Sequence, residues 1–321
     1  MVDFATAFVT GGSGFIGGRL IERLRREGLD VRALARSDGS AAAVESAGAT
    51  AVRGDLDDVD AMRSGARGCD LFFHVAAKAD DWGEREEFER INVTGTRNAL
   101  AAASDAGVRR FVHVGTEAAL MAGQPLVDVN ETTPLRPDSP ALYPATKAKA
   151  EQAVREANRD GFETVVVRPR FVWGRGDTTL LPVLVEMANS GKFRWIGGGH
   201  QRTSTTHVDN AVEGLWLGAT RGKPGGVYFV TDGDPVVFRE FVGELLRTQG
   251  VEPPTGTLPL PIARAAAGTL ERLTRKRPPL TRFTVWVSAL ECTIDISRAR
   301  SELGYEPVRS IADGLDELRA A

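Results

Sequence analysis

Residues 8–20, FVTGGSGFIGGRL, join an apolar strand pattern to a helical pattern through a turn that is rich in glycine. Gly11, Gly14 and Gly17 follow one another at the spacing G-x-x-G-x-x-G. Because glycine lacks a Cβ atom, the backbone can turn tightly here and approach a pyrophosphate, whose charge the N-terminus of the next helix stabilises. A glycine triplet alone is weak evidence in a chain with 35 glycines. Its position between a strand and a helix, however, predicts a loop that binds a dinucleotide.

The first half of the chain alternates short apolar runs with helical patterns. Short runs rich in β-branched and aromatic residues are typical of buried parallel strands, and several of the helical patterns end at glycine. This alternation predicts an α/β fold, a Rossmann-type doubly wound parallel sheet. We expect a dinucleotide-binding domain at 1–173, to which 205–232 return, and a smaller substrate-binding lobe at 174–204 and 233–321. The predicted strands are TAFVT, VRALAR, TAVRG, LFFHVAA, RFVHVGT, TVVVRP and, after a break in the rhythm, GVYFV.

The composition argues against several classes of function. A chain of 321 residues with a net charge of −3 has no basic field for nucleic acid. The two cysteines, Cys69 and Cys292, lie far apart, so we expect no disulfide framework, no metal site and a reducing compartment. No apolar run approaches the length of a membrane span, and the N-terminal sequence lacks the pattern of a signal peptide. We therefore expect a cytoplasmic protein without nucleic-acid or membrane partners.

The end of the second predicted strand, VRALARSDG, bears on which dinucleotide is bound. An acidic residue at this point would bind both ribose hydroxyls of NAD. Ala35 removes that carboxylate, and Arg36 can pair with a 2′-phosphate through its guanidinium group. We therefore expect NADP(H) to be preferred over NAD(H), unless Arg36 only covers the adenine. Asp55 closes the third strand, where it can contact the adenine or cap a helix.

Six motifs occur in the order and at the spacings of a known enzyme family: TGGSGFIG, GDL, HVAA, INVTGT, YPATK and RPRFVWG. Over nearly its whole length the sequence resembles the extended short-chain dehydrogenase/reductase family, within the NAD(P)-dependent epimerase/dehydratase superfamily. LTRFTVWVSALECTIDIS and SRARSELGYEP are most similar to the branch of 3β-hydroxysteroid dehydrogenase-like members. His74 opens HVAA where the family more usually has asparagine, and we interpret it as a strand residue with satisfied hydrogen bonds.

The resemblance implies that Tyr143 is the catalytic acid/base and that Lys147, one helical turn on, is its partner. Carbonyl reduction puts negative charge on the substrate oxygen, so a proton donor must meet that oxygen. The pKa of a free tyrosine is about 10, and a nearby ammonium stabilises the phenolate. We expect Thr116 to hydrogen-bond the same oxygen, the alternative being a structural bond at the strand end. The loop and the resemblance predict cofactor contacts from Gly11, Gly14, Phe15, Ile16, Gly17, Arg36, Asp55, Leu56, Ala76, Ala77, Lys78, Lys147 and Pro169.

Other residues limit the reaction without deciding it. Glu117 is followed by Ala118, whereas sugar-nucleotide dehydratases of this superfamily have two acidic residues after the threonine, so dehydration is disfavoured. Asn92 in INVTGT either organises the active site through backbone contacts or only holds its helix. Arg202 and His207 lie where sugar-nucleotide members contact their ligands, although we favour a structural return strand there.

These observations predict an NADP(H)-dependent oxidoreductase that interconverts a ketone or aldehyde and an alcohol. The alternatives are a nucleotide-sugar epimerase with tightly bound NAD and a non-catalytic cofactor-sensing protein. The family often dimerises through helices that correspond to 86–106 and 145–158, so we expect a homodimer. Large apolar residues are more often core than pocket, but an apolar wall suited to a small-molecule substrate resembling a steroid or lipid could be formed by Trp82, Met121, Phe171, Trp173 and Trp195.

Overall fold

The computed structural model describes residues 4–274 and 276–320. The strands are β1 (Thr6–Thr10), β2 (Asp30–Ala35), β3 (Thr50–Arg53), β4 (Leu71–His74), β5 (Arg110–Val114), β6 (Leu126–Val129), β7 (Glu163–Pro169), β8 (Val172–Trp173), β9 (Trp195–Ile196), β10 (Arg202–Thr203), β11 (Thr206–His207), β12 (Val227–Val230), β13 (Val236–Val237), β14 (Thr257–Leu258) and β15 (Cys292–Ile294). The α-helices are α1 (Phe15–Arg26), α2 (Asp38–Ser46), α3 (Val59–Ala66), α4 (Arg85–Phe88), α5 (Gly95–Asp105), α6 (Leu142–Glu156), α7 (Leu181–Asn189), α8 (Val208–Arg221), α9 (Phe238–Thr248), α10 (Leu260–Leu273), α11 (Arg282–Ala289) and α12 (Ile311–Arg319). Single turns of π-helix or 3₁₀-helix occur at Glu89–Thr94, Glu117–Leu120, Gly197–Gly199 and Ala299–Leu303.

The central sheet has seven strands in the order β12-β7-β5-β4-β1-β2-β3. Every neighbouring pair in it is parallel. This confirms the doubly wound α/β fold and the strand patterns quoted above. The strand order reverses between β1 and β4, and in such sheets a ligand binds outside the carboxyl ends of the strands at this point.

Helices cover both faces of the sheet because its strands are apolar on both sides. Ala7 and Val9 of β1 pack with α1 and α8, whereas Phe8 between them packs with α3 and α5 on the other face. On that second face Phe8, Phe72 and Phe111 form a row with ring centroids 5.0 and 5.1 Å apart. The sheet is therefore buried on both sides, as its near-continuous apolar strands predicted.

Some local features differ from the sequence patterns. The helical pattern at 86–106 contains the π-helical turn Glu89–Thr94 between α4 and α5, and the residues at both junctions keep right-handed helical dihedral angles. Strand β6 and helix α2 had no clear pattern in the sequence. Pro144 is the third residue of α6, where proline is tolerated because the N–H of this position lacks a partner within the helix.

A second sheet joins distant parts of the chain. Its order is β13-β10-β15-β6, and β6, which precedes α6, pairs in parallel with β15 near the C-terminus. Helices α10 and α11 pack against each other through a small cluster that contains Ala263, Ala267 and Val285. Within the described residues, no helix combines the length and the apolar character needed to cross a bilayer.

Strand β7 carries an arginine whose charge is buried. Arg168 donates through Nε to Glu151 Oε2 at 2.8 Å, and a second guanidinium nitrogen contacts the other oxygen of the same carboxylate. Both side chains are 0% exposed. The guanidinium also lies over the ring of Phe229, with its carbon 4.9 Å from the ring centroid. Each of these charges is tolerated in the core because the other compensates it.

We expect Glu151→Ala to destabilise the fold strongly, because it leaves the Arg168 guanidinium buried without a counter-charge. Removing one partner of a buried pair lowers the free energy of unfolding by about 3–5 kcal/mol. The matched control is Asp60→Ala, which breaks the exposed pair between Asp60 and Arg63 and should change it by less than about 1 kcal/mol. Urea unfolding of both variants at pH 7 measures the difference, and equal losses would contradict the prediction.

Candidate active site

The glycine loop lies between β1 and α1, against the backbone that follows β4. Gly11 has a φ of +72°, and a Cβ atom at this position would lie 2.6 Å from the Ala76 nitrogen. A Cβ atom on Gly17 would lie 2.1 Å from the Gly11 carbonyl oxygen. Helix α1 begins at Phe15 with no side-chain cap and no acidic residue in its first turn, so no side chain competes for its first N–H groups. The loop therefore fits the pyrophosphate of a dinucleotide.

The residues predicted to contact the adenosine end lie at the same edge of the sheet. Arg36 is exposed directly after β2, and Asp55 is exposed two residues after β3. The Asp55 carboxylate accepts a hydrogen bond from the Asp57 backbone at 2.9 Å, whereas Asp58 caps α3. The capping alternative for Asp55 is therefore wrong. Leu56 packs under Gly95, whose added Cβ atom would lie 2.9 Å from it.

The segment after β4 is held in place by Asn92. The Asn92 side chain accepts from the Lys78 backbone nitrogen at 2.8 Å and donates to the Lys78 carbonyl oxygen at 3.0 Å. Its amide nitrogen also donates to Thr146 Oγ1 of α6 at 3.0 Å. Asn92 thus organises the site through backbone contacts, which was one of its two predicted roles. The Lys78 ammonium lies 2.7 Å from Asp80 and 3.0 Å from Glu87.

Tyr143 and Lys147 are the second and sixth residues of α6, which places them one turn apart. The buried Lys147 Nζ donates to the Val114 carbonyl oxygen at the end of β5 at 2.7 Å and lies 3.4 Å from His113 Nε2. Burial lowers the pKa of Lys147 to about 8, and the Glu151 carboxylate acts in the opposite direction. The ammonium is therefore hydrogen-bonded to the end of β5, and Thr116 follows two residues later.

Tyr143 is only partly buried and lies beside helix α11. The centroid of its ring is 5.5 Å from that of Phe283, at an interplanar angle of 58°. Burial raises the pKa of Tyr143 above its usual value and the Glu117 carboxylate adds to the rise, whereas the Thr116 side chain lowers it. The phenol is consequently protonated at neutral pH and available as a proton donor.

Thr116 and Glu117 form part of a buried polar network. The Thr116 hydroxyl accepts from the Ala118 backbone nitrogen at 3.2 Å and donates to Glu117 Oε2 at 2.9 Å. Glu117 Oε1 accepts from Arg170 Nη1 at 2.6 Å. Arg170 in turn donates to Thr203 Oγ1 of β10 at 2.7 Å. Thr116 therefore caps its turn in this structure, and its hydroxyl has to rotate away from Glu117 to donate to a substrate.

Asp81 connects the segment after β4 to the start of α11. One oxygen of its carboxylate accepts from the hydroxyl groups of Thr281 and Thr284 at 3.2 and 2.9 Å, and the other lies 2.8 Å from Arg277 Nη2. Thr281 is also the N-cap of α11, where it accepts from the Thr284 backbone nitrogen at 3.0 Å. These contacts, which we call the Asp81 clasp, hold Phe283 next to the Tyr143 ring.

Several residues of the predicted apolar wall lie in a separate core. Phe171 packs edge-on against Phe238 and Phe241, with ring centroids 5.9 and 6.1 Å apart. Trp173 and Trp195 belong to the same cluster under α9. Met121 is buried in the main core. The structure therefore assigns most of this set to the core, the role that large apolar residues usually have.

The remaining predicted residues have structural contacts. Pro169 ends β7 and lies opposite Val230 of β12. Arg202 is exposed in β10, and the fully buried His207 caps α8, where its ring accepts from the Asp209 backbone at 3.2 Å. His207, Asp209 and Glu317 place ligand atoms within 4.8 Å of one another, but Asp209 is already paired with arginine side chains.

Sequence reasoning missed four residues around Tyr143 and Lys147. His113, Arg170 and Phe283 contact the predicted residues or their partners, and Asp81 positions Phe283. One signal was present for Arg170, because an arginine directly after a buried strand needs a buried carboxylate, and Glu117 is the acidic residue at the end of β5. Phe283 lies 140 residues from Tyr143, and Asp81 lies 200 and 203 residues from Thr281 and Thr284, so neither residue carried a local signal.

The comparisons with known proteins agree with this geometry. The model of the 3-beta hydroxysteroid dehydrogenase/isomerase family matches residues 8–261. A 4-hydroxy-2-methyl-3-oxo-4-farnesyl-3,4-dihydroquinoline-1-oxide ketoreductase from Stigmatella aurantiaca is 47% identical over 319 residues, covering 98% of this chain and 96% of the relative. A 2-alkyl-3-oxoalkanoate reductase from Stenotrophomonas maltophilia is 36% identical, covering 98% of both chains.

A solved structure supports the cofactor class. DesIV, a dTDP-glucose 4,6-dehydratase from Streptomyces venezuelae solved with NAD and TYD bound, superposes with a TM-score of 0.77 at 25% identity. The match covers 98% of this chain and 96% of the DesIV chain. The glycine loop, the sheet order and these similarities lead to one conclusion. The chain belongs to the 3-beta hydroxysteroid dehydrogenase/isomerase family and is an NAD(P)-dependent oxidoreductase of the extended short-chain dehydrogenase/reductase type.

Proposed function

We propose that this protein is an NADP(H)-dependent ketoreductase in which Tyr143 protonates the oxygen of the substrate carbonyl. The observation that carries the proposal is the Tyr143 phenol, kept protonated one turn from a buried ammonium at the carboxyl edge of the sheet. The bound nicotinamide would supply the hydride. Gly11, Gly14 and Gly17 would hold the pyrophosphate of the cofactor against the start of α1. The lack of room for a Cβ atom at Gly11 and Gly17 supports this placement.

The protein's own residues would handle the proton and the charge. The negative charge that develops on the substrate oxygen is met by the phenol proton of Tyr143 and by the Thr116 hydroxyl. Lys147 stabilises the resulting phenolate electrostatically. Two of the three N–H groups of its ammonium point to Val114 and His113, which leaves the third for a ribose hydroxyl or the phenol.

The buried network around Glu117 argues against dehydration. Elimination of water needs a free acidic group beside the threonine. Glu117, the acidic residue at that position, is engaged by Arg170 and Thr116 in a buried network. The carboxylate is therefore not available as an acid or base in this arrangement.

The proposed substrate is a ketone that combines an apolar body with a polar end. Phe283 offers an aromatic face beside Tyr143. On the adjacent face of α11, a cavity of about 230 Å³ is lined by Arg264, Arg282, Trp286, Val285 and Gly123. Arg282 is already paired with Glu271, so the exposed Arg264 is the guanidinium group that would suit a carboxylate or an N-oxide. The names of the two ketone-reducing relatives describe such molecules, one with a farnesyl chain and an oxide, the other an alkyl-substituted oxoalkanoate.

The epimerase alternative is less well supported by the residues at the nucleotide end. Epimerases of this superfamily more often use NAD, whereas the β2 end has Arg36 and no carboxylate. Purification with bound NAD and no net turnover of added cofactor would favour the alternative. We keep the homodimer as a proposal, formed through α5 and α6, and light scattering of the purified protein would test it.

We expect Tyr143→Phe to lower kcat for ketone reduction at least about a hundredfold, the lower range for loss of a general acid. NADPH affinity should stay within a few-fold, because the phenol hydroxyl is not needed to bind the pyrophosphate. Lys147→Ala should lower kcat and weaken NADPH binding together. The matched control is Lys149→Ala in the same helix, which breaks only a pair with Glu89 and should leave both constants unchanged. Turnover by Tyr143→Phe at the wild-type rate would disprove the mechanism.

We expect Arg36→Asp to reverse the cofactor preference. A hydrogen bond to a charged group contributes about 1.5–3 kcal/mol, so the ratio of kcat/KM for NADPH to that for NADH should fall at least about tenfold. Arg26→Asp is the control, because this substitution makes the same change in net charge. Arg26 is exposed at the C-terminal end of α1, away from the glycine loop. A wild-type protein that already prefers NADH would show that the assignment of Arg36 is wrong.

We expect Phe283→Ala to weaken selection for bulky apolar ketones. An aromatic contact contributes about 0.5–1.5 kcal/mol beyond buried area, so kcat/KM should fall about tenfold for an aryl ketone with a long alkyl chain. It should change little for butanone. Phe171→Ala is the control, because Phe171 packs under α9 rather than on Tyr143. Equal losses on both ketones would place Phe283 outside the substrate site.

A further inference from the structure

Two histidines lie inside the central sheet, behind the catalytic helix. His74 of β4 and His113 of β5 are each 1% exposed. They are direct neighbours in the parallel ladder, and their ring centroids are 5.5 Å apart with the planes nearly parallel. The proposed reduction uses neither ring, although His113 is in contact with Lys147. Burying a polar ring without hydrogen-bond partners lowers the stability of the fold. The partners of each ring therefore indicate why it is buried.

The hydrogen bonds of His74 determine which of its nitrogens is protonated. The Thr96 hydroxyl donates its proton to the Asn92 carbonyl oxygen at 2.7 Å, so towards His74 Nε2, 3.0 Å away, it has to accept. Nε2 therefore carries the proton. Nδ1 is then an acceptor, and it receives the proton of Thr10 Oγ1 at 2.8 Å. His74 is a neutral ring with both nitrogens satisfied, as its interpretation as a strand residue predicted.

His113 differs because only one of its nitrogens has a partner. The Lys147 ammonium can only donate, so Nε2, at 3.4 Å, has to accept and the ring proton is on Nδ1. In the described part of the chain, Nδ1 has no hydrogen-bond partner. In the opposite tautomer Nε2 would carry the proton, and two donors, this N–H and the Lys147 ammonium, would face each other. An unsatisfied buried donor costs about 1–3 kcal/mol, and a hydrogen bond to a charged group returns a similar amount.

We propose that His113 is a positioning residue, which through Nε2 and together with the Val114 carbonyl oxygen holds the Lys147 ammonium charged and oriented for the cofactor and Tyr143. The inference rests on the proposed function for the role of Lys147. An ammonium has three N–H groups. With two of them fixed to consecutive residues of β5, at 2.7 and 3.4 Å, the direction of the third is fixed as well. A lysine held by one acceptor alone could rotate about that bond.

The charged groups around Lys147 show why His113 Nε2 matters as an acceptor for its ammonium. On its own helix Glu151 lies one turn further, but its carboxylate is shared with Arg168 of β7. Glu117, near Tyr143, is shared with Arg170. His74 and His113, the titratable groups facing Lys147 from β4 and β5, are kept neutral by burial, which lowers the pKa of both well below the usual value. The ammonium is thus stabilised at close range by neutral acceptors rather than by an unshared carboxylate.

The test compares His113→Gln with His113→Asn. A glutamine amide oxygen can reach the position of Nε2, whereas the shorter asparagine reaches only that of Nδ1 and leaves Lys147 with a single acceptor. Loss of the acceptor lowers the pKa of Lys147, so the ammonium loses its proton at lower pH. NADPH affinity, measured by its fluorescence, should therefore decline at a midpoint about one pH unit lower in His113→Asn than in the wild type. His113→Gln should restore at least half of that shift.

The binding assay does not depend on turnover, so a failure to reduce the chosen ketones leaves this test intact. In the same variants, the pH at which kcat for reduction declines on the alkaline side of its pH profile should shift together with the midpoint for NADPH binding. His74→Asn is the control, because its ring does not contact Lys147 and its loss should lower stability without moving the midpoint. The proposal is overturned if His113→Asn keeps the wild-type midpoint, or if Asn and Gln at this position give the same shift.

Discussion

The close approach of Gly11 to the backbone of Ala76 is the constraint on which the active site depends. It brings the turn after β1 against the segment after β4, at the point where the strand order of the sheet reverses. Any side chain at Gly11 would push the two segments apart. The shape of the glycine loop, proposed to hold the pyrophosphate, and the path of the chain towards Asn92 and Asp81 both follow from this contact, since both begin at the same edge of the sheet.

From that contact a series of hydrogen bonds reaches the helix that carries Tyr143, the proposed proton donor. Asn92 binds both backbone groups of Lys78 and also Thr146, which lies in the first turns of α6 between Tyr143 and Lys147. The position of the segment after β4 and that of α6 are therefore coupled through one asparagine side chain. Two buried arginines on the same strand and its extension, Arg168 and Arg170, neutralise carboxylates on either side. Lys147 is bound by a carbonyl oxygen and an imidazole instead.

The sequence predicted those features that depend on local pattern. The glycine spacing, the apolar strands and the helix that carries Tyr143 and Lys147 are all encoded within short stretches, and the seven-stranded parallel sheet confirmed the fold. Strand β6 is too short and too exposed at Val127, 57%, to produce a clear pattern. The π-helical turn at Glu89–Thr94 occurs in a sequence with ordinary helical periodicity, and Asn92 within it makes hydrogen bonds to Lys78 and Thr146 that the local pattern does not encode.

The contacts that complete the candidate site come from long range and had no local signal. Phe283 reaches Tyr143 across 140 positions of sequence, and its placement depends on the Asp81 clasp, which spans about 200. The role of His113 depends on the ring of a neighbouring strand and on a lysine 34 residues away. Such partners follow from the packing of the sheet and of the C-terminal helices, which a single sequence does not reveal.

The pairing of β6 with β15 has a consequence for how these enzymes can be recombined. Strand β6, which precedes α6, pairs with β15 near the C-terminus. Strands of the central sheet and strands of the second sheet therefore alternate along the sequence. A chimaera made by a single crossover after β7 would inherit β6 from one parent and β15 from the other. A single crossover placed before β6 keeps both strands from one parent, whereas a design that retains α6 and β7 of the other parent needs three crossovers, two flanking β6 and one before the C-terminal segment.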